Sequence, residues 1–438
     1  MRLPEWLAHQ QAQHPKEIEL GLSRVREVAK RLGLLPFRVP SVIIGGTNGK
    51  GSTVAFLGGL AKAAGCSFAA YTSPHLQRYN ERVAINGVPV ADAVLEAAFD
   101  RIEAARLGAA GEVGATGTTG EGSDRSTPIP LTFFEYGTLA ALVIFAEASQ
   151  AGKLDVAFIE VGLGGRLDAT NIIDAEVAVI TSIGLDHMDW LGPTVEHIGR
   201  EKAHIARAGR PVILGQNPMP ESVHATLKEI GASPRQIGVD FAPLNLSNAA
   251  LAAPVQAVNA AVALEAWRAL PGMPRLSDAE AEAALASARV AGRLQRYREA
   301  GSSAQAGSAS EAEGPEWILD VAHNTPAAEA LAQGLAAMPR PGRRYGVVGI
   351  FADKDAAAIL QTLAPEIDGW ILCGLPGERG GSPEALRARL PAGLRCLALV
   401  PDVAEACTLA RSLATSSDQI LVCGSFQTVG PALDWLQL

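Results

Sequence analysis

The sequence predicts an α/β protein of two domains. The first is a P-loop-type, mostly parallel sheet with helices on both faces, and the second is a smaller α/β domain of Rossmann-like build. Three observations predict this. Short apolar runs alternate with segments of 3.6-residue periodicity, the pattern of parallel strands joined by crossover helices. An early run ends in a glycine-rich turn that passes directly into a helix. The 438 residues also exceed what one compact core usually holds.

A helical pattern over Glu19–Leu32 precedes the strand Val42–Ile44. Ser41–Thr53 then reads SVIIGGTNGKGST, and Val54–Lys62 continues as a helix. A strand, glycine turn and helix N-terminus make an anion site, because free N–H groups and about half a positive charge of helix dipole face the ligand. Lys50 can reach the outer phosphates of a nucleotide, and Ser52 can hold magnesium. The spacing departs from G-x-x-x-x-G-K-[ST], since Gly51 separates Lys50 from Ser52. A glycine turn without a ligand is the alternative.

The strand Ser67–Tyr71 leads into Tyr71–Arg82, which Pro74 excludes from regular helix. Ser73 therefore sits at a strand's carboxyl end, where open α/β sheets bind ligands, although an ordinary polar loop fits as well. After the helix Phe134–Ala148, the strand Val156–Val161 carries Glu160 near its end. A buried carboxylate there is costly unless paired or metal-bound, so Glu160 is either a magnesium ligand or structural. Gly162, Gly164 and Gly165 permit close backbone approach. The strand Val177–Ile180 opens into Thr181–Gly192, where His187 could ligate a metal or cap a turn; magnesium prefers oxygen. The helix Thr194–Ala208 contains Gly199-Arg-Glu-Lys-Ala-His204, and a helical lysine is ordinarily solvated. Val212–Leu214 and the helix Asn259–Leu270 complete the first domain.

The expected domains are 1–288 and 297–438, with a linker over 289–296. The second contains strands Trp317–Val321, Tyr345–Ile350, Gly369–Cys373, Arg395–Val400 and Ile420–Cys423. Gly292-Arg-Leu-Gln295 and Asp320-Val-Ala-His-Asn324 are its polar clusters. Gly108–Pro130 and Ala300–Gly314, rich in small and polar residues, read as mobile surface loops.

Apolar residues at 48% and charged residues at 19% suit a globular chain, and a net charge of -9 argues against a general nucleic-acid binder. Five cysteines without C-x-x-C spacing read as small buried residues in a reducing compartment. The mixed opening Met1–Leu7 does not look like a leader, and the apolar run Leu139–Ala146 is far below the ~20 residues of a membrane helix. A cytoplasmic protein without membrane or nucleic-acid partners is expected.

Taken in order, the clusters resemble the Mur ligase superfamily and, within it, the folylpolyglutamate synthase/dihydrofolate synthase family. The resemblance rests on the phosphate loop with its Gly51, Thr72-Ser-Pro-His-Leu76, Glu81-Arg-Val83, Leu131-Thr-Phe-Phe-Glu135 and Glu160–Asn171. It continues through Asp186–Gly192, Gly199–Lys202, Asp320–Asn324 and Leu421–Phe426, and extends from about His14-Pro15 to near the C-terminus.

The resemblance implies an ATP phosphate loop at Thr47, Asn48, Gly49, Lys50, Gly51 and Ser52, with further nucleotide contacts from Asn259, Arg293 and Asp320. It implies two magnesium sites using Ser52, Ser73, Glu160, His187 and Lys202, the lysine as a carbamate. Thr132, Phe133, Phe134, Glu135, Arg166 and Asp168 match the region that takes the pterin end of the substrate, and His323 lies beside Asp320. Lys50, Lys202, His187 and His323 are the expected catalytic set. The implied reaction adds L-glutamate to 7,8-dihydropteroate and to tetrahydrofolate or its one-carbon forms, through an acyl phosphate, in a monomer. A synthase acting on folylpolyglutamates alone, a cell-wall amino-acid ligase and a non-catalytic nucleotide-binding module are the alternatives. The 108–130 and 300–314 stretches and a short segment from Gly231 to Pro254 depart from the family pattern and leave the glutamate site unassigned.

Overall fold

The computed structural model describes residues 1–14, 18–108, 128–244, 254–299, 314–377 and 379–438. Most of the two small-residue stretches, much of 231–254 and Pro15 lie outside these residues. The chain divides into two compact units. The first comprises Met1–Pro74, Tyr79–Ala242 and Asn259–Leu285; the second comprises His75–Arg78, Pro243–Val258 and Ala286–Leu438.

The first unit is built on eight strands: β1 (Ser41–Gly45), β2 (Phe68–Tyr71), β3 (Val83–Ile85), β4 (Val88–Pro89), β5 (Val156–Glu160), β6 (Val177–Ile180), β7 (Pro211–Leu214) and β8 (Ser233–Gln236). Their order is β4-β3-β2-β5-β1-β6-β7-β8. From β2 to β8 every pairing is parallel, while β3 and β4 add an antiparallel edge. β1 is therefore central, with Ile44 opposite Glu160 of β5 and Gly45 opposite Ile180 of β6.

Both faces of β1 are covered, as its unbroken apolar run requires. Ile43, Ile159 and Ile180 join the large core that also takes Tyr136, Leu139 and Phe145 of the helix Phe133–Gln150. Val42, Ile44, Phe158 and Val179 are also buried, and alternation along a strand turns them to the opposite face. The helix Lys50–Ala63 packs on β1, β2 and β5, with the Phe68 ring so close to Gly58 that a Cβ there would lie 2.9 Å from it.

The second unit has β9 (Gln295–Arg298), β10 (Glu316–Asp320), β11 (Arg344–Val348), β12 (Gly369–Cys373), β13 (Cys396–Val400) and β14 (Gln419–Cys423), ordered β13-β12-β11-β14-β10-β9. Only β9 is antiparallel. Alternating residues feed two cores. Trp317, Leu319, Ile420 and Val422 enter one, and Ile318, Leu421 and Cys423 enter the other.

Two α/β units with mostly parallel sheets agree with the fold class read from sequence, and all ten expected strands are present. β3, β4, β8 and β9 were not expected. β8 and β9 read SPRQ and QRYR and lie at sheet edges, where one side escapes burial and the apolar signal fades. The helix expected over Glu19–Leu32 is shortened to Ser23–Arg31, because Gly21 at φ +151° lies outside helical space. Among the described residues no helix is long and apolar enough to cross a membrane.

Phe158, fully buried at the centre of β5, tests this core. Phe158→Ala is expected to destabilise the first unit by about 3–5 kcal/mol in chemical denaturation, through lost burial and a residual cavity.

Candidate active site

Parallel pairing places the carboxyl ends of β2, β5, β1 and β6 side by side. Glu160 ends β5, and the segments leaving the other ends carry Ser73, the 46–49 turn with the helix start at 50–52, and the 181–187 segment. In the turn, Gly46 and Gly49 adopt φ +142° and +90°. A Cβ on Gly46 would fall 1.9 Å from Thr181 Oγ1, and one on Gly49 would fall 2.5 Å from Asn259 Oδ1. Both positions therefore require glycine, and Asn259 is thereby located against the turn.

Two amines converge on one backbone oxygen. Lys50 Nζ donates to the carbonyl oxygens of Gly46 (3.1 Å) and Thr47 (3.2 Å), while Lys202 Nζ donates to the same Gly46 oxygen at 3.0 Å. Lys202 is 5% exposed, not solvated as an isolated helical lysine would be. It is carried by the helix Val195–Ala203, whose backbone is brought in by Gly165: a Cβ there would sit 2.7 Å from the Glu201 carbonyl oxygen. Burial, reinforced by the charge of Lys50, lowers the Lys202 amine to about 7, against the opposing pull of Asp186 and Asp168.

Ser52 Oγ is buried and has no hydrogen-bond partner among the described residues. A buried hydroxyl in that condition is costly unless something else satisfies it. Glu160 lies against the preceding residue, Gly51: its Oε2 accepts from Ser73 N at 3.3 Å and would be 3.7 Å from a Cβ on Gly51. Hydroxyl and carboxylate oxygens are the donor types magnesium takes, so this group fits the ion. His187 holds a left-handed conformation at φ +52°, donates its backbone N–H to Asp186 Oδ1 at 2.9 Å, and leaves its side chain 40% exposed. Among the described residues no three His, Cys, Asp or Glu side chains form a ready-made metal cage.

The residues matched to the pterin region have strong local partners. Thr132 and Glu135 form a capping box on the helix Phe133–Gln150: Glu135 N–H donates to Thr132 Oγ1 (3.2 Å) and Thr132 N–H donates to Glu135 Oε2 (2.8 Å). Arg24 pairs with Glu135 at 3.2 Å, while burial pushes this carboxyl above its ordinary range. Asp168 is buried too, accepting from Leu163 N (2.8 Å), Thr170 N (3.0 Å) and Thr170 Oγ1 (2.5 Å), and burial likewise raises it. Arg166 pairs with Glu201 at 2.9 Å. Phe133 and Phe134 remain partly exposed. Phe133 meets Tyr79 edge-on at 5.6 Å with Arg82 over both rings, and Phe134 covers Gly162.

In the second unit Asp320 ends β10, its carboxylate accepting from Leu294 N and Ala322 N, each at 2.9 Å. Burial raises this carboxyl, opposed chiefly by the Arg293 charge. Arg293 lies over the Phe426 ring at 5.5 Å, and the His323 ring stands 6.1 Å from the same phenyl. His323 Nδ1 is 2.8 Å from the Val321 carbonyl, which can only accept, so Nδ1 carries a proton. The structure thus brings Arg293, Asp320 and His323 together, and separately Lys50, Ser52, Ser73, Glu160 and Lys202. Sequence reading included Phe426, Asp186, Thr181 and Ser182 within its motifs without giving them a role, and did not single out Arg24. The hydroxyl pair just beyond β6 was a signal available for Thr181 and Ser182.

Comparison with known proteins shows the family. A dihydrofolate synthase/folylpolyglutamate synthase of Escherichia coli is 40% identical over 99% of this chain and 95% of its own length. The chain belongs to the dihydrofolate synthase/folylpolyglutamate synthase family. The Haemophilus influenzae member is 36% identical over 98% of this chain and 96% of its own. A family model described as Mur ligase, glutamate ligase domain matches residues 307–426. Among solved structures, E. coli FolC in complex with DHPP and ADP superposes with a TM-score of 0.85 at 38% identity, covering all of this chain and 98% of its own. The bifunctional Yersinia pestis enzyme complexed with AMPPNP and Mn gives 0.84 at 38%, again over all of this chain and 98% of its own.

The capping box separates folding from recognition at Thr132. Thr132→Ala is expected to cost about 1 kcal/mol in stability, read by thermal melting, and Thr132→Ser is expected to restore most of it.

Proposed function

We propose that the chain is an ATP-dependent amide ligase that adds L-glutamate to 7,8-dihydropteroate and to reduced folylglutamates. The observation that carries this reading is the convergence of Lys50 and buried Lys202 on the Gly46 carbonyl, together with a buried Ser52 hydroxyl that has no hydrogen-bond partner among the described residues. Relatives crystallised with DHPP and ADP, and with Mn, AMPPNP and L-glutamate, support the choice of ligands. The bifunctional assignment is favoured over a polyglutamate synthase alone because the E. coli and H. influenzae relatives carry both activities in their names. A cytoplasmic location suits substrates of this kind. Residues 1–288 form the nucleotide-activating part in this reading, 289–296 the linker and 297–438 the ligase part.

A carboxylate must be activated before an amine can displace one of its oxygens. The acceptor carboxylate attacks the γ-phosphorus of ATP, ADP leaves, and an acyl phosphate forms. The glutamate amine then attacks the acyl carbon, the amide bond forms, and phosphate departs with release of a proton. Positioning and charge neutralisation dominate phosphoryl transfer. Lys50 moves its ammonium from the loop carbonyls to the phosphates, and Thr47 to Ser52 enclose them. Ser52, Ser73, Glu160, His187 and a Lys202 carbamate would hold two magnesium ions, which when bound would neutralise phosphate charge. Asn259, Arg293 and Asp320 contact the nucleotide, with Phe426 fixing the Arg293 guanidinium. His323, beside Asp320, joins Lys50, Lys202 and His187 in the catalytic set of this reading. Phe133 and Phe134 offer ring surface to the pterin, in a region framed by Thr132, Glu135, Arg166 and Asp168.

Carbamate formation requires a neutral amine: Lys202 Nζ attacks carbon dioxide, an N–C bond forms and one proton leaves. An ordinary lysine is almost wholly protonated at neutrality, whereas an amine lowered to about 7 is about half neutral there. The modification is therefore expected to increase as pH rises through 7 and to fall below it. Carbon-13 NMR with labelled bicarbonate is expected to show a carbamate signal following that course, absent from Lys202→Met.

The function itself is tested by ADP release from MgATP and L-glutamate, with 7,8-dihydropteroate or tetrahydrofolate as acceptor. Turnover with both is expected. Silence with both acceptors from a folded, ATP-binding protein would overturn the reading. Lys50→Ala is expected to lower kcat by at least about a hundredfold with the melting temperature preserved, as befits loss of a charge stabiliser.

A further inference from the structure

The segment leaving β6 touches the phosphate loop at one end and bears His187 at the other. Thr181 Oγ1 donates to the carbonyls of Asn48 (2.6 Å) and Gly45 (3.2 Å). Ser182 Oγ accepts from Asn48 N (3.1 Å) and lies 3.1 Å from the Asn48 carbonyl oxygen, while the Ser182 carbonyl accepts from Thr47 N at 2.7 Å. The exchange is reciprocal, since Thr47 Oγ1 accepts from Gly184 N at 3.0 Å. Thr181 is buried, and its hydroxyl occupies the space that a side chain on Gly46 would need. Five residues after Ser182 comes His187.

These bonds change which groups can serve the phosphates. The backbone N–H groups of Thr47 and Asn48 are both engaged by Ser182. The first turn of the helix Lys50–Ala63 has no intrahelical acceptors for its own N–H groups, so Lys50, Gly51 and Ser52 are the backbone donors aimed at an anion. The same contacts hold the carbonyls of Gly45 and Asn48 in place on either side of Gly46, the residue on which Lys50 and Lys202 converge.

We infer that Thr181 and Ser182 are positioning residues for phosphoryl transfer, forming a latch that fixes the phosphate loop and keeps it in register with the metal-bearing segment at His187. The inference rests on the ligase reading above. Both side chains bond to the backbone of the loop. Their hydroxyls determine where the loop donors and the two amines stand, so that nucleotide and metal are bound in one geometry.

The test uses the full chain carrying Thr181→Val, Thr181→Ser or Ser182→Ala. Calorimetry measures binding of a non-hydrolysable ATP analogue with and without magnesium. Kinetics give kcat, the KM for each substrate and the half-saturating magnesium concentration, and thermal melting is recorded alongside. Thr181→Val, nearly isosteric but unable to donate, is expected to weaken analogue binding roughly tenfold and raise the magnesium requirement severalfold. The KM for dihydropteroate is expected to stay within twofold, and Thr181→Ser to regain most of the loss. Analogue affinity and magnesium requirement both within twofold of the parent would overturn the inference, as would a Thr181→Ser variant as impaired as Thr181→Val. Should Thr181→Val fail to fold, Ser182→Ala decides by the same criteria. Analogue binding is read without turnover, so a parent that binds the analogue but ligates neither acceptor would remove the activity reading and still leave the latch tested.

Discussion

β1 has β5 on one side and β6 on the other, both parallel to it, and most of the site's chemistry follows from that placement. Parallel neighbours end on the same edge of a sheet, so a glycine turn, a carboxylate and a hydroxyl-bearing loop meet without any long-range folding of loops. Burial on both faces keeps water away from the strands and confines polar groups to their ends. The same burial raises the cost of every charge there, and each has a definite answer. Glu160 has the Ser73 amide, and Lys202 has the Gly46 carbonyl together with an amine lowered toward neutrality.

The second unit solves a similar problem with one carboxylate. Asp320 is buried at the end of β10 and keeps two backbone donors, with Arg293 supplying opposing charge. Phe426, at the start of the helix after β14, presents its ring to both Arg293 and His323. Here adjacent parallel strands, β10 and β14, deliver Asp320, His323 and Phe426 to one edge, and Arg293 comes from just before the start of antiparallel β9 at that same edge.

Legibility in the sequence followed burial. β1, β5, β6, β10 and β14 are buried throughout and announce themselves as apolar runs. β8 and β9 are polar edge strands whose pairing depends on a neighbour that no local pattern encodes. Lys50, Ser52 and Glu160 could be nominated from strand ends and glycine turns alone, whereas Lys202 looked like any helical lysine until the family resemblance singled it out. Its burial depends on Gly165 admitting the helix backbone, a contact between residues far apart in sequence. Thr132 and Glu135 show the converse. Their T-x-x-E spacing is a local folding signal, and the resemblance to a substrate region drew attention away from it.

The oxygen shared by Lys50 and Lys202 belongs to the main chain. No change of amino acid can delete a carbonyl, so the acceptor at the centre of the site is immune to mutation in a way that a carboxylate would not be. Sensitivity passes instead to the shape around it. Position 46 is closed to every residue larger than glycine by a hydroxyl 1.9 Å from where its Cβ would begin. Genetic variation in this protein therefore meets its constraint at Gly46 as lack of room rather than loss of chemistry.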